Sequence, residues 1–497
     1  MKLTIIFQAA AILIANLSVA RASVVVPEIL GDHMVLQQQS ECLIWGRSTK
    51  PGERVTVTAS WGEALETTAD ALGRWKVILH TPKAVPLKEG LKPYHIEIVN
   101  PNENQIQLRD VLVGEVWLCS GQSNMVMPCG PGYPRGWCAW FGEAAWKEDR
   151  AKANRPGLRL FNVQQNVAAE PQFDCKGVIP GLMILPPGPD GIVPPPARGW
   201  ALCTPEVADG FSAVAYHLGV TLQEKLDVPV GLVVSAFGGT SISPWISLDG
   251  QAEYNGGKPP QGEPDVSKAG ALYNGMIAPV MPLRFAGVAW YQGESDVGKP
   301  GELYAKLLRA LIADWRKSNG NPELPFYYVQ IASFTNKDPW AELRDGQASV
   351  QDDPKVGMVV ISDVSDPGNI HPKRKKEIGA RLAALALARD YQRAEVQAEF
   401  PRATEAKAVA GKVRVTFAHG EGLRTRNGSA PTYLEVAGSD GVFQPAEAVI
   451  EQGGLVVSCS AVPKPETVRL GWGSADVPNL VNASGLPVGQ FRFAVQP

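Results

Sequence analysis

The alternation of short apolar runs with amphipathic segments between about residues 111 and 391 constrains the fold most. The apolar runs are Val111–Leu118, Val230–Ser235, Phe285–Trp290, Phe326–Ile331 and Met358–Ile361. Segments with helical periodicity lie among them and after the last run: Phe211–Leu226, Leu303–Arg316, Trp340–Gln351 and Lys375–Tyr391. Continuous apolar strands that alternate with helices are typical of a parallel sheet covered on both faces. The pattern therefore predicts a doubly wound α/β domain over residues 110–391.

Strand-like alternation flanks this region on both sides. Val55 and Val57 exemplify a period-two pattern that predicts an N-terminal β-sandwich domain over residues 23–109. Similar patterning predicts a C-terminal β-rich domain over residues 392–497. Residues 127–209 are rich in Pro, Gly and Trp, which predicts a long loop excursion from the α/β domain.

The first 22 residues have the features of an export signal: Lys2, a mostly apolar stretch, and small residues before Ser23. No later run approaches the roughly 20 apolar residues that span a bilayer, so we expect a secreted or periplasmic protein without an integral membrane segment. The net charge of −3 gives no electrostatic reason to expect nucleic-acid binding. The seven cysteines include at least one that is unpaired or pairs between chains, and their spacing does not predict the pairing.

Polar and glycine-rich segments follow four of the predicted strands. They are Cys119–Met125, Ala236–Thr240, Tyr291–Asp296 and Ser362–Pro372. In a doubly wound sheet, sites form outside the carboxyl ends of the strands. A serine, a glycine pair, a Gln/Glu pair and a histidine at one edge are the groups that acyl transfer requires.

Jointly, these motifs resemble those of the SGNH hydrolase superfamily and, within it, the sialate O-acetylesterase family. The matching segments are Gly121-Gln122-Ser123-Asn124-Met125, Phe237-Gly238-Gly239-Thr240, Trp290-Tyr291-Gln292-Gly293-Glu294-Ser295-Asp296 and Ile370-His371-Pro372. The resemblance extends from about Val24 to Arg389. It implies removal of acetyl groups from O-acetylated sugars, with an acetylated carbohydrate as partner and without a metal or an organic cofactor.

The resemblance also implies roles for single residues. Ser123 matches the nucleophile, His371 the general base, and the backbone N–H groups of Ser123 and Gly239 the oxyanion-hole donors. Gln292 is the better side-chain donor on chemical grounds, because an ionised Glu294 accepts hydrogen bonds but cannot donate them. Gln122, Asn124 and Glu294 are expected to support the site or to orient the substrate.

The acid of the triad departs from the superfamily pattern, which places Asp three residues before the histidine. Gly368 occupies that position here, and Asn369 stands where family members often carry Asp. We expect either Asp366 as the acid or a Ser–His pair oriented by a backbone carbonyl.

Substrate features leave alternatives open. Trp137, Trp140 and Trp146 either stack on a sugar or pack the loop, and Lys373–Lys376 either attracts an anionic sugar or forms the solvated first turn of a helix. The leading prediction is an esterase for sialic acid or related acetylated glycans. The alternatives are an acetylxylan or other plant-polysaccharide acetylesterase and a non-catalytic secreted glycan-binding protein. The sequence predicts neither the acetyl position nor the oligomeric state.

Overall fold

The computed structural model describes residues 24–101, 105–130, 144–178, 199–252, 256, 258 and 263–497. The predicted export signal lies outside the described residues, as do Trp137 and Trp140, for which the sequence left sugar stacking and loop packing open. None of the helices in these ranges combines the length and apolarity that crossing a membrane requires.

The architecture is mixed α/β. The strands of the N-terminal part are β1 (Val24–Val25), β2 (Val35–Gln37), β3 (Glu41–Ser48), β4 (Arg54–Ala59), β5 (Glu63–Thr68), β6 (Arg74–His80) and β7 (Tyr94–Val99). The central part contains β8 (Gln105–Gly121), β9 (Arg155–Asn162), β10 (Ala201–Cys203), β11 (Val230–Ala236), β12 (Gly287–Tyr291), β13 (Phe326–Val329) and β14 (Val356–Val359). The helices are α1 (Ser123–Val126), α2 (Ala144–Ala151), α3 (Pro205–Gly210), α4 (Ala213–Leu226), α5 (Gly301–Asn319), α6 (Trp340–Ala348) and α7 (Lys375–Arg389).

The central sheet has the strand order β10-β9-β11-β8-β12-β13-β14. All neighbouring pairs in it are parallel except β9 with β10 at the edge. Strands β11 to β14 are buried along their whole length, because nearly every residue in them is apolar. Four of the five predicted apolar runs correspond to these strands within a few residues, and the fifth, Val111–Leu118, lies within β8.

Strand β8 joins the N-terminal strands to the central sheet. Its first half pairs antiparallel with β7 and its second half pairs parallel with β11 and β12. The remaining N-terminal sheet is the antiparallel set β1-β3-β6. The domain boundary predicted at residue 109 therefore falls inside a continuous 17-residue strand.

The segment 127–209 was predicted to be a loop excursion, and its described part corrects this prediction. Strand β9 lies in it and forms an interior strand of the central sheet. Strand β9 begins with Arg155-Pro156-Gly157, which is not an apolar run, so the sequence pattern did not indicate a buried strand here. Arg159 of β9 is buried and forms an ion pair with Asp110. The charge on Arg159 is thus compensated inside the sheet and does not mark a surface loop.

The C-terminal part consists of antiparallel sheets with their own apolar core. Its strands are β15 (Arg402–Val409), β16 (Lys412–Ala418), β17 (Arg424–Thr425), β18 (Leu434–Ala437), β19 (Gln444–Pro445), β20 (Glu447–Glu451), β21 (Gly454–Ser458), β22 (Thr467–Leu470), β23 (Leu480–Val481) and β24 (Phe491–Ala494). The buried Arg344 of α6 donates hydrogen bonds to the carbonyl oxygens of Gly471 and Gly473 and so fastens this part to the α/β part. The cysteines among the described residues are all free thiols.

Candidate active site

Three parallel strands end at the same level and carry the first groups of the site. Gly121 at the end of β8 pairs with Ala236 of β11 on one side and with Tyr291 of β12 on the other. The residues that follow these ends therefore meet at one edge of the sheet. The predicted serine, glycine-pair and Gln/Glu motifs lie there together.

Ser123 begins helix α1 directly after β8, and the loop after β14 brings His371 to it. The Nε2 atom of His371 lies 3.0 Å from the Oγ atom of Ser123. The two residues are 248 positions apart in the chain, so this contact depends on the tertiary fold. The serine hydroxyl can donate this hydrogen bond if the imidazole proton resides on Nδ1.

The environment of His371 favours its neutral form. Burial of the ring, with a smaller contribution from the nearby Lys375, lowers the pKa of His371 to about 4. The ring is therefore unprotonated at neutral pH and its Nε2 atom can accept a proton. A general base needs this protonation state.

The Gly238-Gly239 turn after β11 lies against Ser123. A β-carbon added to Gly238 would lie 3.5 Å from the Ser123 Cβ atom. Gly239 has a φ of 75°, a left-handed conformation that favours glycine. Within the described residues, the backbone N–H groups of Ser123 and Gly239 donate no hydrogen bond, so both remain able to bind an oxyanion.

The prediction that Gln292 is an oxyanion donor is not supported by the geometry. The side chain is fully buried, and its Nε2 atom donates to the Thr240 carbonyl oxygen at 3.1 Å and to Asp296 at 2.6 Å. Its Oε1 atom accepts a hydrogen bond from Tyr304 at 3.0 Å. Gln292 therefore anchors the loop after β12, because both of its donor hydrogens are already engaged.

Asn124 and Gln122 support the site from beneath. Asn124 Nδ2 donates to Glu294 at 2.5 Å and to the carbonyl oxygen of Ile370 at 3.2 Å. Gln122 Oε1 accepts hydrogen bonds from the backbone N–H groups of Gly293 and Ser295. The residues on either side of Ser123 are thus tied to the loops that carry Glu294 and His371.

The prediction for Asp366 as the orienting acid is likewise not supported. Its carboxylate accepts a hydrogen bond from the backbone N–H of Gly368 at 3.0 Å, as in a local turn. In the described part of the chain, the His371 ring hydrogen-bonds to Ser123 and to no carboxylate or carbonyl oxygen. Asn369 instead accepts the backbone N–H of His371 at 2.9 Å.

Trp146 packs within the protein. Its ring contacts those of Tyr216 and His217, and its Nε1 atom donates to Asp209. Of the two readings that the sequence left open for this tryptophan, loop packing is the one that the structure supports.

Lys375 is the member of the site that the sequence analysis missed. It was grouped with a solvated or anion-attracting run, yet it is only 3% exposed, and its Nζ atom donates to Asn124 Oδ1 at 2.5 Å. The helical spacing of the sequence could have indicated its burial. Lys375 lies three and seven residues before Ile378 and Leu382, which places it on the buried face of α7.

A hydroxyl bonded to a neutral imidazole, beside free backbone N–H groups at the carboxyl ends of parallel strands, is an arrangement typical of serine hydrolases. Comparison with known proteins narrows the class. Residues 202–388 match the family model described as "Carbohydrate esterase, sialic acid-specific acetylesterase". This range includes His371 but not Ser123.

The relatives agree with the family model. The sialate O-acetylesterases of Pongo abelii and Homo sapiens are 29% and 28% identical to this chain, and the alignments cover 78% of this chain and 75% of each relative. The crystal structure of a carbohydrate acetylesterase from Xanthomonas citri is 31% identical, with a TM-score of 0.80 and coverage of 95% of this chain and 99% of that one.

The chain belongs to the sialate O-acetylesterase family of carbohydrate esterases, as its motifs predicted. It is accordingly a carboxylic ester hydrolase. The prediction of an enzyme is confirmed over the alternative of a non-catalytic glycan-binding protein.

Proposed function

We propose that this chain is a serine esterase of the SGNH type that removes O-acetyl groups from sugars, with Ser123 as nucleophile and His371 as general base. The observation that carries the proposal is the 3.0 Å contact between Ser123 Oγ and His371 Nε2. The lowered pKa of His371 supports it, because the ring accepts a proton only when neutral.

The reaction has two halves. Ser123 Oγ attacks the acetyl carbonyl carbon while His371 takes the hydroxyl proton, and the negative oxygen is bound by the N–H groups of Ser123 and Gly239. The sugar oxygen then leaves with the proton from His371. In the second half, His371 takes a proton from water, the resulting hydroxide attacks the acetyl-Ser123 ester, and acetic acid departs as the proton returns to Ser123. The acid then ionises to acetate and releases its proton to the solvent.

The catalytic pair works without an orienting acid in this proposal. Asp366 is engaged with its own turn, and burial rather than a carboxylate sets the state of the imidazole. Each oxyanion donor is typically worth about 100- to 1000-fold in rate. The two backbone donors therefore contribute a large share of the barrier reduction.

O-Acetylated sialic acid is the first candidate substrate, because the curated relatives are named sialate O-acetylesterases. Acetylated plant polysaccharide is the second candidate. The Xanthomonas citri relative, which matches nearly the whole chain, is named a carbohydrate acetylesterase, and that wider substrate class includes such polysaccharides.

The Ser123→Ala variant tests the mechanism. We expect it to abolish acetate release from a small acetyl ester while circular dichroism shows a folded protein. Ser295→Ala is the matched control, because Ser295 is an exposed serine at the same edge of the sheet whose side chain forms no hydrogen bond among the described residues. Turnover by the Ser123 variant at the control's rate would exclude this serine as the nucleophile.

Acetate release from acetylated sialic acids, acetylxylan and acetylated pectin tests the substrate. A kcat/KM for sialic acid esters at least tenfold above the others would support the first candidate, and the reverse order would support the second. Failure to release acetate from any of the three would contradict the sugar esterase proposal.

Export is a separate part of the proposal. Residues 1–22 act as a signal that is removed, which makes the mature protein secreted or periplasmic. Mass spectrometry of the N-terminus after expression, together with cell fractionation, tests this. A protein retained in the cytoplasm with its first 22 residues intact would contradict it.

A further inference from the structure

The buried Lys375 carries an inference about how the catalytic pair is held, and this inference rests on the proposed function. A lysine is rarely buried without a partner, because the loss of hydration of its charge is costly. Lys375 lies at the first position of α7, four residues after His371, and its Nζ atom points inward to Asn124.

Asn124 connects the two halves of the site through a single side chain. Its Oδ1 atom accepts from Lys375, which leaves Nδ2 to donate to Glu294 and to the carbonyl oxygen of Ile370. Asn124 directly follows the nucleophile Ser123, and Ile370 directly precedes His371. One amide thus holds the residue after the nucleophile next to the residue before the base.

The lysine holds the oxygen side of this amide, while Glu294 and the Ile370 carbonyl oxygen hold its nitrogen side. Without Lys375, Oδ1 loses that donor and the amide is held from its nitrogen side alone. The link to the His371 loop is then weaker, because a buried amide oxygen that lacks a donor is costly and favours other side-chain conformations.

Charge adds a second effect. Burial lowers the pKa of Lys375 to about 7, opposed by the nearby Glu294, whose own pKa burial raises. The Lys375 ammonium also lies 5.2 Å from the centre of the Tyr291 ring. Glu294, Tyr291 and His371 are titratable groups that face the Lys375 side chain, and Asp296 acts in turn on Glu294. Further charged or titratable groups line a cavity that Lys375 also borders: Asp149, His217, Lys376 and Glu377.

We propose that Lys375 is a positioning residue of the esterase reaction: it orients the Asn124 amide that joins the Ser123 helix to the His371 loop, and its positive charge beside His371 keeps the imidazole neutral in acid. The missing triad acid gives this role its significance. A triad acid holds the imidazole directly, whereas this network holds the backbone on which the imidazole is carried.

The pH profile of kcat/KM for a neutral acetyl ester separates this role from a merely structural one. In Lys375→Met the positive charge is lost and the ring stays buried, so the acid limb should move upward by roughly half a unit or more. The kcat should fall roughly tenfold or more, with a smaller change in KM, because the link between nucleophile and base is loosened. The control is Lys376→Met, in which an exposed neighbour paired with Asp149 loses the same charge, and whose profile should match that of the wild type.

Lys375→Gln keeps an N–H donor without a charge, and it serves as the second variant where Lys375→Met does not fold. We expect the same upward shift of the acid limb but a smaller loss of kcat. An acid limb at the wild-type position in the folded variants would overturn the role of the charge, and an unchanged kcat in them would overturn the role in positioning. If Ser123→Ala loses activity while the Lys375 variants behave as wild type, this inference fails and the proposed function stands; a fully active Ser123→Ala removes the basis of both.

Discussion

The acid limb of the pH profile follows directly from the burial of His371. The base must be neutral to accept the Ser123 proton, and the pKa of the buried ring is about 4 instead of the ordinary 6.5. A lowered pKa means that the neutral form persists as the pH falls and is lost only through about pH 4. We therefore expect kcat/KM for a neutral acetyl ester to stay level from neutral pH down to about pH 5.

The lowered pKa of His371 changes the activity most at pH values between about 4 and the ordinary 6.5. At pH 5.5 a histidine with a pKa of about 4 is about 97% neutral, whereas one with the ordinary value is about 9% neutral. The enzyme should therefore be about tenfold more active at pH 5.5 than a site with an ordinary histidine. The assay is initial-rate hydrolysis across pH 3.5 to 8 at constant ionic strength, with the Ser123→Ala protein as the blank for spontaneous hydrolysis.

A midpoint near 6.5 would refute the reasoning, because it would mean that neither burial nor the neighbouring cation acts on the ring. Circular dichroism at each pH is the necessary control. If activity is lost because the protein unfolds and not because His371 is protonated, the circular dichroism signal is lost at the same pH midpoint.

Further predictions concern single residues. Asp366→Asn should keep kcat within about threefold of wild type, because among the described residues its carboxylate accepts a hydrogen bond only from the N–H of Gly368; a loss of 100-fold or more would restore Asp366 as the acid. Gly239→Ala should lower kcat roughly tenfold or more, since relief of the left-handed strain, about 1–2 kcal/mol, turns a donor N–H away; an unaltered kcat would contradict its place in the oxyanion hole. Arg344→Met should lower the free energy of unfolding by about 2–4 kcal/mol in a urea titration, because buried carbonyl oxygens such as that of Gly471 lose their donor; a loss below about 0.5 kcal/mol would show that this arginine does not fasten the C-terminal part.

The sequence predicted the parallel strands and the residues at their ends because both depend on local patterns. Buried strands such as β11 are continuously apolar, and a glycine pair or a serine directly after such a strand is readable without a structure. The meeting of Ser123 with His371 was predictable only by combining motifs, since neither residue alone is informative.

Features that depend on distant partners were not predictable. The burial of Lys375 requires an acceptor 251 positions away in the chain, and β9 contains an arginine whose charge is compensated by Asp110. The use of Gln292 as an anchor likewise depends on Thr240 and Asp296, which occupy its donor hydrogens. Side-chain chemistry alone favoured it as an oxyanion donor, and only the tertiary contacts decide otherwise.

The shared strand β8 has a practical consequence for anyone who wishes to divide this protein. A cut at residue 109 would divide strand β8. This strand pairs with β7 mainly before the cut and with β2 and β11 after it. Removal of the residues before the cut would take away β2 and β7 and leave the segment of β8 that pairs with them without those hydrogen-bond partners. Strand β8 ends two residues before Ser123. The N-terminal part is not a detachable accessory module, and swapping it for another would place the alignment of Ser123 with His371 at risk.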